Sequence, residues 1–327
     1  SEPAFDPKEI ARLRDERLDE IARSLDEPRI VANLRLLEAI FGPTHPYGRP
    51  EGGRKEEVER IDAPAVRAFH RRHYTPRGAT LVLVGAVEPR TLRNRLDAAF
   101  RRWTATRTAR PTVPPRPQAP AHGVLAVQRP QSPQSEIRLG GLGIPRRHPD
   151  YFAFKVANAI VGGLFNSRVN MNLREEKGWT YGAYTRFETH RAAGPVYGTV
   201  AVDTAATAEA LDEFVAEIEG LTARPPDDDE LRLATNALTL SLPRLFETAA
   251  QVAAQVAEQV VYELPDDYWT RYVRRIRSVT TEQVVRVAQR YLRPDRWAFV
   301  VVGDVEPHLP RLARHGDVTV EPFGRPL

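Results

Sequence analysis

The spacing of apolar residues predicts a chain made mostly of amphipathic helices, with a smaller number of short strands. Apolar residues recur at helical spacing from Ile10 to Leu25, and Asp6 followed by Pro7 is a typical helix start, so a helix is predicted over 6–25. Further helices are predicted over 28–40, 62–74, 88–101, 150–161, 166–176, 207–220, 280–291 and 306–314, with two long helices in 227–262.

Strands are predicted where short apolar runs end at glycine or at other turn residues. The run Thr80–Val84 ends at Gly85 and is interpreted as a buried strand. The other predicted strands cover 123–128, 135–142, 181–188, 195–203, 297–302 and 317–320. This order predicts an α+β fold, in which helices pack over one face of a mixed sheet, rather than a strictly alternating βαβ fold.

Proline marks the clearest domain boundary in the sequence. Residues 104–122 contain five prolines and no apolar periodicity, which is typical of an extended, semi-rigid linker. We assign the linker to 110–122. It is predicted to separate an N-terminal part, 1–109, from a C-terminal domain, 123–327.

The end of the chain repeats its beginning. Residues 73–89 and 291–307 share a tyrosine and a proline, an apolar run, a glycine and the tripeptide Val-Glu-Pro. The matching pairs Pro76 and Pro294, Gly85 and Gly303, and Pro89 and Pro307 each lie 218 positions apart. Because the same offset also matches Leu13 with Leu231, the spacing indicates a duplication.

An offset of 218 residues in a chain of 327 leaves the repeat incomplete. Residues 1–109 correspond to 219–327, which are the second half of a unit, and 110–218 are a first half with no counterpart in this sequence. We therefore interpret the chain as one and a half repeats: the second half of an N-terminal domain, then a complete C-terminal domain. The other half is expected upstream, where processing or cloning has removed it, or on another chain.

Composition narrows the class of protein. With 42% apolar and 28% charged residues, and no apolar run of roughly 18 residues, the sequence is that of a soluble globular protein. It contains no cysteine, which excludes disulfides and thiolate metal sites. The net charge is only +4 and arginine pairs are scattered among acidic residues, which argues against a nucleic-acid-binding stripe.

The most informative stretch begins at the pair Gly162-Gly163 and ends at Gly182. The glycine pair ends one predicted helix, a short amphipathic helix follows, and Gly178 breaks that helix before an aromatic-rich strand. A helix end, a glycine and a strand start within so few residues are typical of a binding site.

Arg174 and Tyr181 stand on either side of this break, seven residues apart. A cation and a phenol in these positions can face the same ligand. Each residue also has an ordinary interpretation, because an arginine in the last turn of a helix compensates its dipole and a tyrosine is common at a strand.

The chain resembles the pitrilysin/insulinase family of zinc metallopeptidases, the inverzincins. The resemblance rests on the Ser-Arg … Leu-Arg-Glu-Glu-Lys-Gly … Tyr-Gly pattern of 167–182, the loop His45–Gly48 and the repeated Val-Glu-Pro unit. That family includes the mitochondrial processing peptidases and two-subunit bacterial enzymes. The resemblance covers essentially the whole chain and implies pitrilysin-like, duplicated α+β domains that enclose a peptide.

The resemblance also implies zinc in the complete enzyme. In that family a helix with the motif H-x-x-E-H supplies two histidine ligands and a general base, and a distal glutamate is the third ligand. This sequence contains no such motif, which the family carries in the half that has no counterpart here. Glu20 falls on the distal ligand position, with an exposed helix glutamate as the equal alternative, although Leu13 stands where the family often has another acid.

For substrate binding, the resemblance assigns Arg174 and Tyr181. A guanidinium and a phenol can donate hydrogen bonds to a peptide carbonyl and to the oxyanion that forms on it. The strand that begins near Tyr181 is also expected to take an extended peptide by strand addition, which brings Gly182 and Ala183 against the substrate.

The histidines are weaker candidates. His70 and His73 lie three positions apart on a predicted helix, but no acidic base stands between them, which favours a surface pair. His45 lies in a loop rich in proline and glycine and is interpreted as structural.

Two functions follow as alternatives. In the first, the chain is part of a zinc-dependent endopeptidase, is inactive alone, and receives the zinc helix from a missing N-terminal segment or from a homologous partner subunit in a heterodimer. Its substrate would be a peptide or an unfolded protein. In the second, which Leu13 favours, the chain is a non-catalytic structural subunit of the same fold. The bacterial members that it resembles imply the cytoplasm or periplasm of a prokaryote.

Overall fold

The computed structural model describes residues 3–103 and 122–324. The linker predicted at 110–122 therefore lies, apart from its last residue, outside the described residues. The helices are α1 (Pro7–Leu25), α2 (Pro28–Phe41), α3 (Lys55–Val58), α4 (Ala63–His73), α5 (Pro89–Phe100), α6 (Tyr151–Asn158), α7 (Arg168–Asn170), α8 (Thr207–Ala223), α9 (Asp228–Leu240), α10 (Ala249–Tyr262), α11 (Tyr268–Arg277), α12 (Thr281–Tyr291) and α13 (Leu309–Leu312).

Two π-helical segments continue two of these helices. Ala159–Gly163 follows α6, and Met171–Glu176 follows α7. The strands are β1 (Gly123–Gln128), β2 (Gln134–Leu142), β3 (Ala183–Phe187), β4 (Pro195–Asp203), β5 (Ala298–Gly303) and β6 (Val318–Pro322).

The described residues form two compact units. The first contains 3–22, 52–103 and 241–266, and the second contains 23–51, 122–240 and 267–324. All six strands lie in the second unit, together with α2 from the N-terminal part of the chain. The second unit is therefore built from three separate stretches of sequence.

The six strands of the second unit form one mixed sheet in the order β3-β4-β2-β5-β1-β6. β1 runs parallel to β5 and β6, and the other neighbouring strands are antiparallel. β5 lies between β1 and β2, and all six of its residues are buried. The predicted α+β fold with a mixed sheet is confirmed.

One face of this sheet is covered by α2. Leu36 and Ile40 of α2 pack in one cluster with Ala298, Val300 and Val302 of β5. Leu36 is 2% exposed and Ile40 is 1% exposed. Full burial of such a side chain contributes roughly 1.5–3 kcal/mol each, so α2 is a substantial part of the core.

The opposite face is covered by helices of the C-terminal part. Side chains alternate along a strand, so Phe299 points away from α2. Leu139 of β2 lies directly opposite Phe299, and a Cβ atom at Gly198 of β4 would meet both Leu139 and Phe214 of α8. The sequence predicted helices on one face only, because the apolar side of α2 does not reveal which sheet it covers.

The strand predicted at Thr80–Val84 does not form. The segment lies in the first unit without strand structure, and Leu81 and Leu83 are 56% and 48% exposed. Its counterpart in the repeat is β5, which bonds to β1 and β2. Both neighbours come from 110–218, the half that is not duplicated in this sequence, so the segment has the composition of a strand but no neighbours to pair with.

α11 is present although no helix was predicted at 268–277. Tyr268, Tyr272 and Ile276 are its buried residues and follow one another at intervals of four. This spacing is the ordinary signal of a helix that packs along one side. Most other predicted helices and strands of the second unit appear within a few residues of their expected ends.

Candidate functional site

The stretch from Gly162 to Gly182 folds against the start of β3. The π-helical segment that ends at Gly163 lies beside this strand so closely that a Cβ atom at Gly162 would be 2.4 Å from the backbone nitrogen of Thr185. A side chain at this position would push the segment away from the strand. The first glycine of the pair is therefore required by close backbone packing.

Arg174 lies in the second π-helical segment, Met171–Glu176. Its guanidinium carbon is 4.4 Å from the centroid of the Phe165 ring, and the side chain is one third exposed. The nearest carboxylate contact is long, because Oε1 of Glu175 is 3.6 Å from Nε. Arg174 is thus held by stacking on an aromatic ring, which leaves its N–H groups available to a ligand.

The chain leaves the π-helical segment at Gly178, which has a left-handed φ of +68°. Its backbone N–H donates to the Arg174 carbonyl at 3.2 Å, and the N–H of Trp179 donates to the Leu173 carbonyl at 3.1 Å. These bonds are typical of a helix that ends at a C-terminal glycine. They fix the turn by which the chain passes from Arg174 to Tyr181.

Tyr181 stands at the tip of a short turn and is 91% exposed. The hydroxyl of Thr180 accepts a hydrogen bond from the Gly182 N–H and donates one to the Gly182 carbonyl, each at 3.1 Å. The turn is therefore held from within, and the phenol of Tyr181 is presented to solvent.

Gly182 and Ala183 are placed differently from the expectation of strand addition. A Cβ atom at Gly182 would be 2.7 Å from the ring of Tyr184, and Ala183 is fully buried with its N–H donating to Oδ1 of Asn170 at 3.0 Å. Nδ2 of Asn158 donates to the Thr185 carbonyl at 3.3 Å. With the segment at Gly162 beside the same strand, these side chains close β3 to an added peptide between Ala183 and Thr185.

Arg168, in the Ser-Arg part of the pattern, has a structural role. It is buried, and Nη2 and Nε donate to Glu230 at 2.7 and 2.8 Å. Nη1 donates to the carbonyls of Gly220 and Arg224 at the C-terminal end of α8. The Arg168 hydrogen bond holds the pKa of the Glu230 carboxyl below its ordinary value, because it stabilises the ionised form.

The residues that the structure describes do not fit a zinc site. Oε2 of Glu20 pairs with Nη1 of Arg17 at 2.8 Å, and its side chain is 55% exposed. Among residues 3–103 and 122–324, no three His, Cys, Asp or Glu side chains lie together where a metal ion could bind. Because catalytic zinc requires three protein ligands, we derive no reaction step through zinc bound to the described part of this chain.

The histidines that stood out in the sequence lie in aromatic contacts. His70 stacks on Tyr74 with 5.1 Å between ring centroids, and His73 lies 4.5 Å from Phe69. His45 is buried against Phe41, and burial lowers the pKa of its imidazole. Nδ1 of His45 accepts the N–H of Tyr47, which supports its structural interpretation.

Sequence patterns missed two residues of this site. Phe165 was part of the informative stretch, yet nothing in its spacing indicated that it lies under Arg174. Asn170 is fully buried between Phe165 and Ala183, and its spacing to them shows no helical or strand period. A polar residue flanked by apolar positions on a short helix was the one available signal.

None of the helices in the described ranges is both long enough and apolar enough to cross a membrane.

Comparison with known proteins identifies the family. The family described as Peptidase M16 inactive domain matches residues 60–238, more than half of the chain. An uncharacterized zinc protease of Streptomyces coelicolor is 28% identical over 51% of this chain and 37% of its own length. One of Mycobacterium tuberculosis is 26% identical over 90% of this chain and 66% of its own length. The chain thus spans less than two thirds of either relative.

A solved structure extends the match to the fold. The peptidase M16 inactive domain from Pseudomonas fluorescens superposes with a TM-score of 0.82 at 25% identity, covering 93% of this chain and 72% of that one. This likeness and the matched range agree with the resemblance to pitrilysin-type zinc peptidases, which is confirmed at the level of the family. The chain belongs to the peptidase M16 inactive-domain family.

Proposed function

We propose that this chain is the substrate-binding part of a zinc-dependent endopeptidase, in which Arg174 and Tyr181 bind the peptide. The H-x-x-E-H helix is supplied by a polypeptide outside this sequence, either an N-terminal segment or a homologous partner subunit. The names of the relatives, which call them zinc proteases, support the reaction class. The chain alone is expected to be inactive.

The proposal rests on the surroundings of the Arg174 side chain, which stacks on an aromatic ring and makes only a long carboxylate contact among the described residues. Arg168, six positions earlier, donates to a carboxylate and to carbonyls. Arg174 instead stacks on Phe165, and the neighbouring Tyr181 is 91% exposed. Dipole compensation at a helix end needs neither the aromatic ring beneath the guanidinium nor an exposed phenol close by in sequence.

The chemistry of the pair suits a peptide carbonyl. The guanidinium offers planar N–H donors with a permanent positive charge, and the phenol offers one O–H donor. Such donors stabilise negative charge that develops on a carbonyl oxygen during attack, and they act most strongly where the site is preorganised. The closed edge of β3 limits recognition to these side chains and to the turn at Gly182.

The first unit supports the proposal that a further polypeptide completes the enzyme. The exposed segment Thr80–Val84 corresponds to β5, which is paired on both sides in the second unit. We expect a polypeptide folded like 122–218 to supply the equivalents of β1 and β2. That polypeptide is also where the zinc motif is expected.

A second candidate function is that of a non-catalytic structural subunit. The description of the matching family as an inactive domain favours it. The two functions differ in one consequence: only a substrate-binding part requires Arg174 and Tyr181 for turnover.

The test is peptide hydrolysis by this chain assembled with the polypeptide that carries H-x-x-E-H, measured with an internally quenched peptide. Arg174→Ala or Tyr181→Phe is expected to lower turnover at least about tenfold, equivalent to about 1.4 kcal/mol. Arg296→Ala, which removes an exposed arginine of the same unit, is the matched control and should leave turnover unchanged.

Two results would contradict the proposal. Near wild-type turnover in both site variants would favour the structural subunit. Metal analysis of the dialysed chain alone is expected to find far less than one zinc per chain, and one tightly held zinc would place the metal site in this polypeptide.

A further inference from the structure

We infer that Asn170 is a positioning residue that links the two arms of the proposed substrate site, the Arg174–Phe165 stack and the Tyr181 turn. The inference rests on the proposed function. Asn170 is fully buried, and both ends of its carboxamide are used. Nδ2 donates to the Phe165 carbonyl at 2.7 Å, and Oδ1 accepts the Ala183 N–H at 3.0 Å.

The first arm depends on where Phe165 lies. Its ring is the surface on which the Arg174 guanidinium rests, and Phe165 as a residue is 52% exposed. Because packing fixes an exposed ring only weakly, the position of the ring depends on how the backbone of Phe165 is held. The short bond from Asn170 to the Phe165 carbonyl supplies that anchor.

The second arm depends on where β3 begins. Ala183 is the first residue of β3 and follows Tyr181 by two positions. Its N–H is bound to Asn170, and the turn before it is closed by the Thr180 hydroxyl. The point from which Tyr181 projects is therefore set by the same buried carboxamide that anchors Phe165.

Buried amides are costly to leave unpaired, so a carboxamide that satisfies one group at each end fixes both groups. Asn158 provides the contrast. Its Nδ2 also binds β3, at the Thr185 carbonyl, and none of the hydrogen bonds found in the structure joins it to Phe165. Asn158 therefore holds the strand without holding the first arm.

The experiment uses Asn170→Asp in the assembled enzyme. When ionised, the carboxylate has nearly the same shape and keeps an acceptor for the Ala183 N–H, but it cannot donate to the Phe165 carbonyl. The substitution is therefore expected to release the Arg174 arm and to keep the bond to Ala183. We expect turnover of an internally quenched peptide to fall about fivefold or more in the wild-type background, and less than about twofold when Arg174→Ala is already present.

The same substitution should act independently of the other arm. With Tyr181→Phe present, Asn170→Asp is expected to keep its full effect, because the two changes affect different arms. Asn158→Asp, at a partly buried position, is the control for a charge placed beside β3, and its effect on turnover should be the same in the Arg174→Ala and wild-type backgrounds. A purely structural role of Asn170 would lower turnover equally in all three backgrounds.

If Asn170→Asp does not fold, the smaller and uncharged Asn170→Ser is measured in the same backgrounds, and its effect on turnover is expected to be smaller when Arg174→Ala is present. Phe165→Leu removes the ring beneath Arg174 from an exposed position and leaves Asn170 in place. Phe165→Leu should lower turnover about threefold or more with the same dependence on Arg174, and Phe165→Tyr should restore it, because a tyrosine ring also attracts the guanidinium cation.

The outcomes separate this inference from the function on which it rests. Suppose that Arg174→Ala lowers turnover, but that Asn170→Asp and Phe165→Leu lower it by the same factor with and without Arg174→Ala. The positioning role is then overturned, and the proposed substrate site stands. If Arg174→Ala itself leaves turnover unchanged, the proposed function fails, and the positioning role fails with it.

Discussion

Arg168 and Arg174 lie six positions apart and are used in opposite ways. Arg168 is buried, and its guanidinium satisfies Glu230 and two carbonyls at the end of α8. Arg174 is one third exposed and rests on an aromatic ring. Within one short stretch, the degree to which an arginine is already hydrogen-bonded separates a structural residue from a candidate for binding.

The Arg168–Glu230 pair predicts a dependence of stability on pH. Because Arg168 lowers the pKa of Glu230 in the folded state, the pair stabilises the fold above the ordinary carboxyl pKa of 4.5. The contribution is lost as pH falls through the lowered pKa. We expect Glu230→Gln to cost about 1 kcal/mol at pH 7, a value discounted for the partial exposure of Glu230, and less below about pH 4.

Urea unfolding followed by tryptophan fluorescence measures this difference, since Trp297 is buried in the second unit. Glu219→Gln makes the same charge change at an exposed position on α8 and should be nearly neutral at both pH values. A cost for Glu230→Gln that stays constant from pH 7 to pH 4 would contradict the assigned role of the ion pair.

At the scale of elements, the two π-helical segments determine the geometry of the site. One brings Gly162 against β3, and the other carries Arg174. π-helical turns are rare and occur often at functional sites, because the extra residue in the turn changes the direction of the side chains that follow. Here the second segment lies within 167–182, the stretch that carries the family pattern, and the first ends shortly before it.

Close packing at Gly162 predicts that added volume is not tolerated there. In Gly162→Ala the new Cβ would lie 2.4 Å from a backbone nitrogen that cannot move freely, so we expect a loss of about 1–3 kcal/mol in the free energy of unfolding. Gly220→Ala is the matched control: nothing lies within 4 Å of its Cβ position in α8, and alanine should stabilise that helix by about 0.5–1 kcal/mol.

Chemical denaturation of both variants at one pH tests this pair of expectations. The opposite signs are the informative result, because a general cost of replacing glycine would destabilise both proteins. If Gly162→Ala is as stable as the wild-type protein, the contact with β3 is looser than its geometry indicates.

Much of the element order could be predicted from the sequence, because helix starts, apolar spacing and glycine breaks are local signals. The ends of α1, α8 and α12 show this. What could not be predicted depends on partners distant in sequence. Thr80–Val84 has the residues of a strand but forms none, and the apolar side of α2 gives no indication that it covers β5.

The candidate site shows the same distinction between local sequence signals and contacts that are distant in sequence. Arg174 and Tyr181 could be selected from a local pattern, whereas the role of Asn170 depends on contacts at five and thirteen positions along the chain. The prediction that Ala183 contacts a peptide assumed that the outer edge of β3 is free to pair with another strand. Asn158 and the segment at Gly162 cover that edge, and neither is adjacent to β3 in sequence.

At the scale of the whole molecule, the two compact units do not follow the order of the chain. The second unit takes 23–51 from the N-terminal part, and the first takes 241–266 from the C-terminal part. The boundary predicted at 110–122 divides the sequence, but each compact unit contains residues from both sides of it.

The packing of α2 on the sheet therefore predicts how the protein behaves after a single backbone cut. A protease site engineered into 110–120 should yield two fragments that separate under denaturing electrophoresis but co-elute on native size exclusion. The reason is that α2 remains buried against β5. Uncut protein carrying the same inserted site is the control, and separation of the native fragments would contradict the assignment of α2 to the second unit.

The packing of α2 on the sheet also restricts which segments of the gene could be exchanged by recombination. A gene segment encoding only the part after the linker would yield a sheet with one bare apolar face, and a segment encoding only the part before it would yield a helix without its sheet. Recombination at the linker, the most obvious break in the sequence, would therefore split a folded module rather than exchange one. If only the part after the linker is transferred to another protein, that protein must supply a helix that covers the sheet face on which α2 packs here.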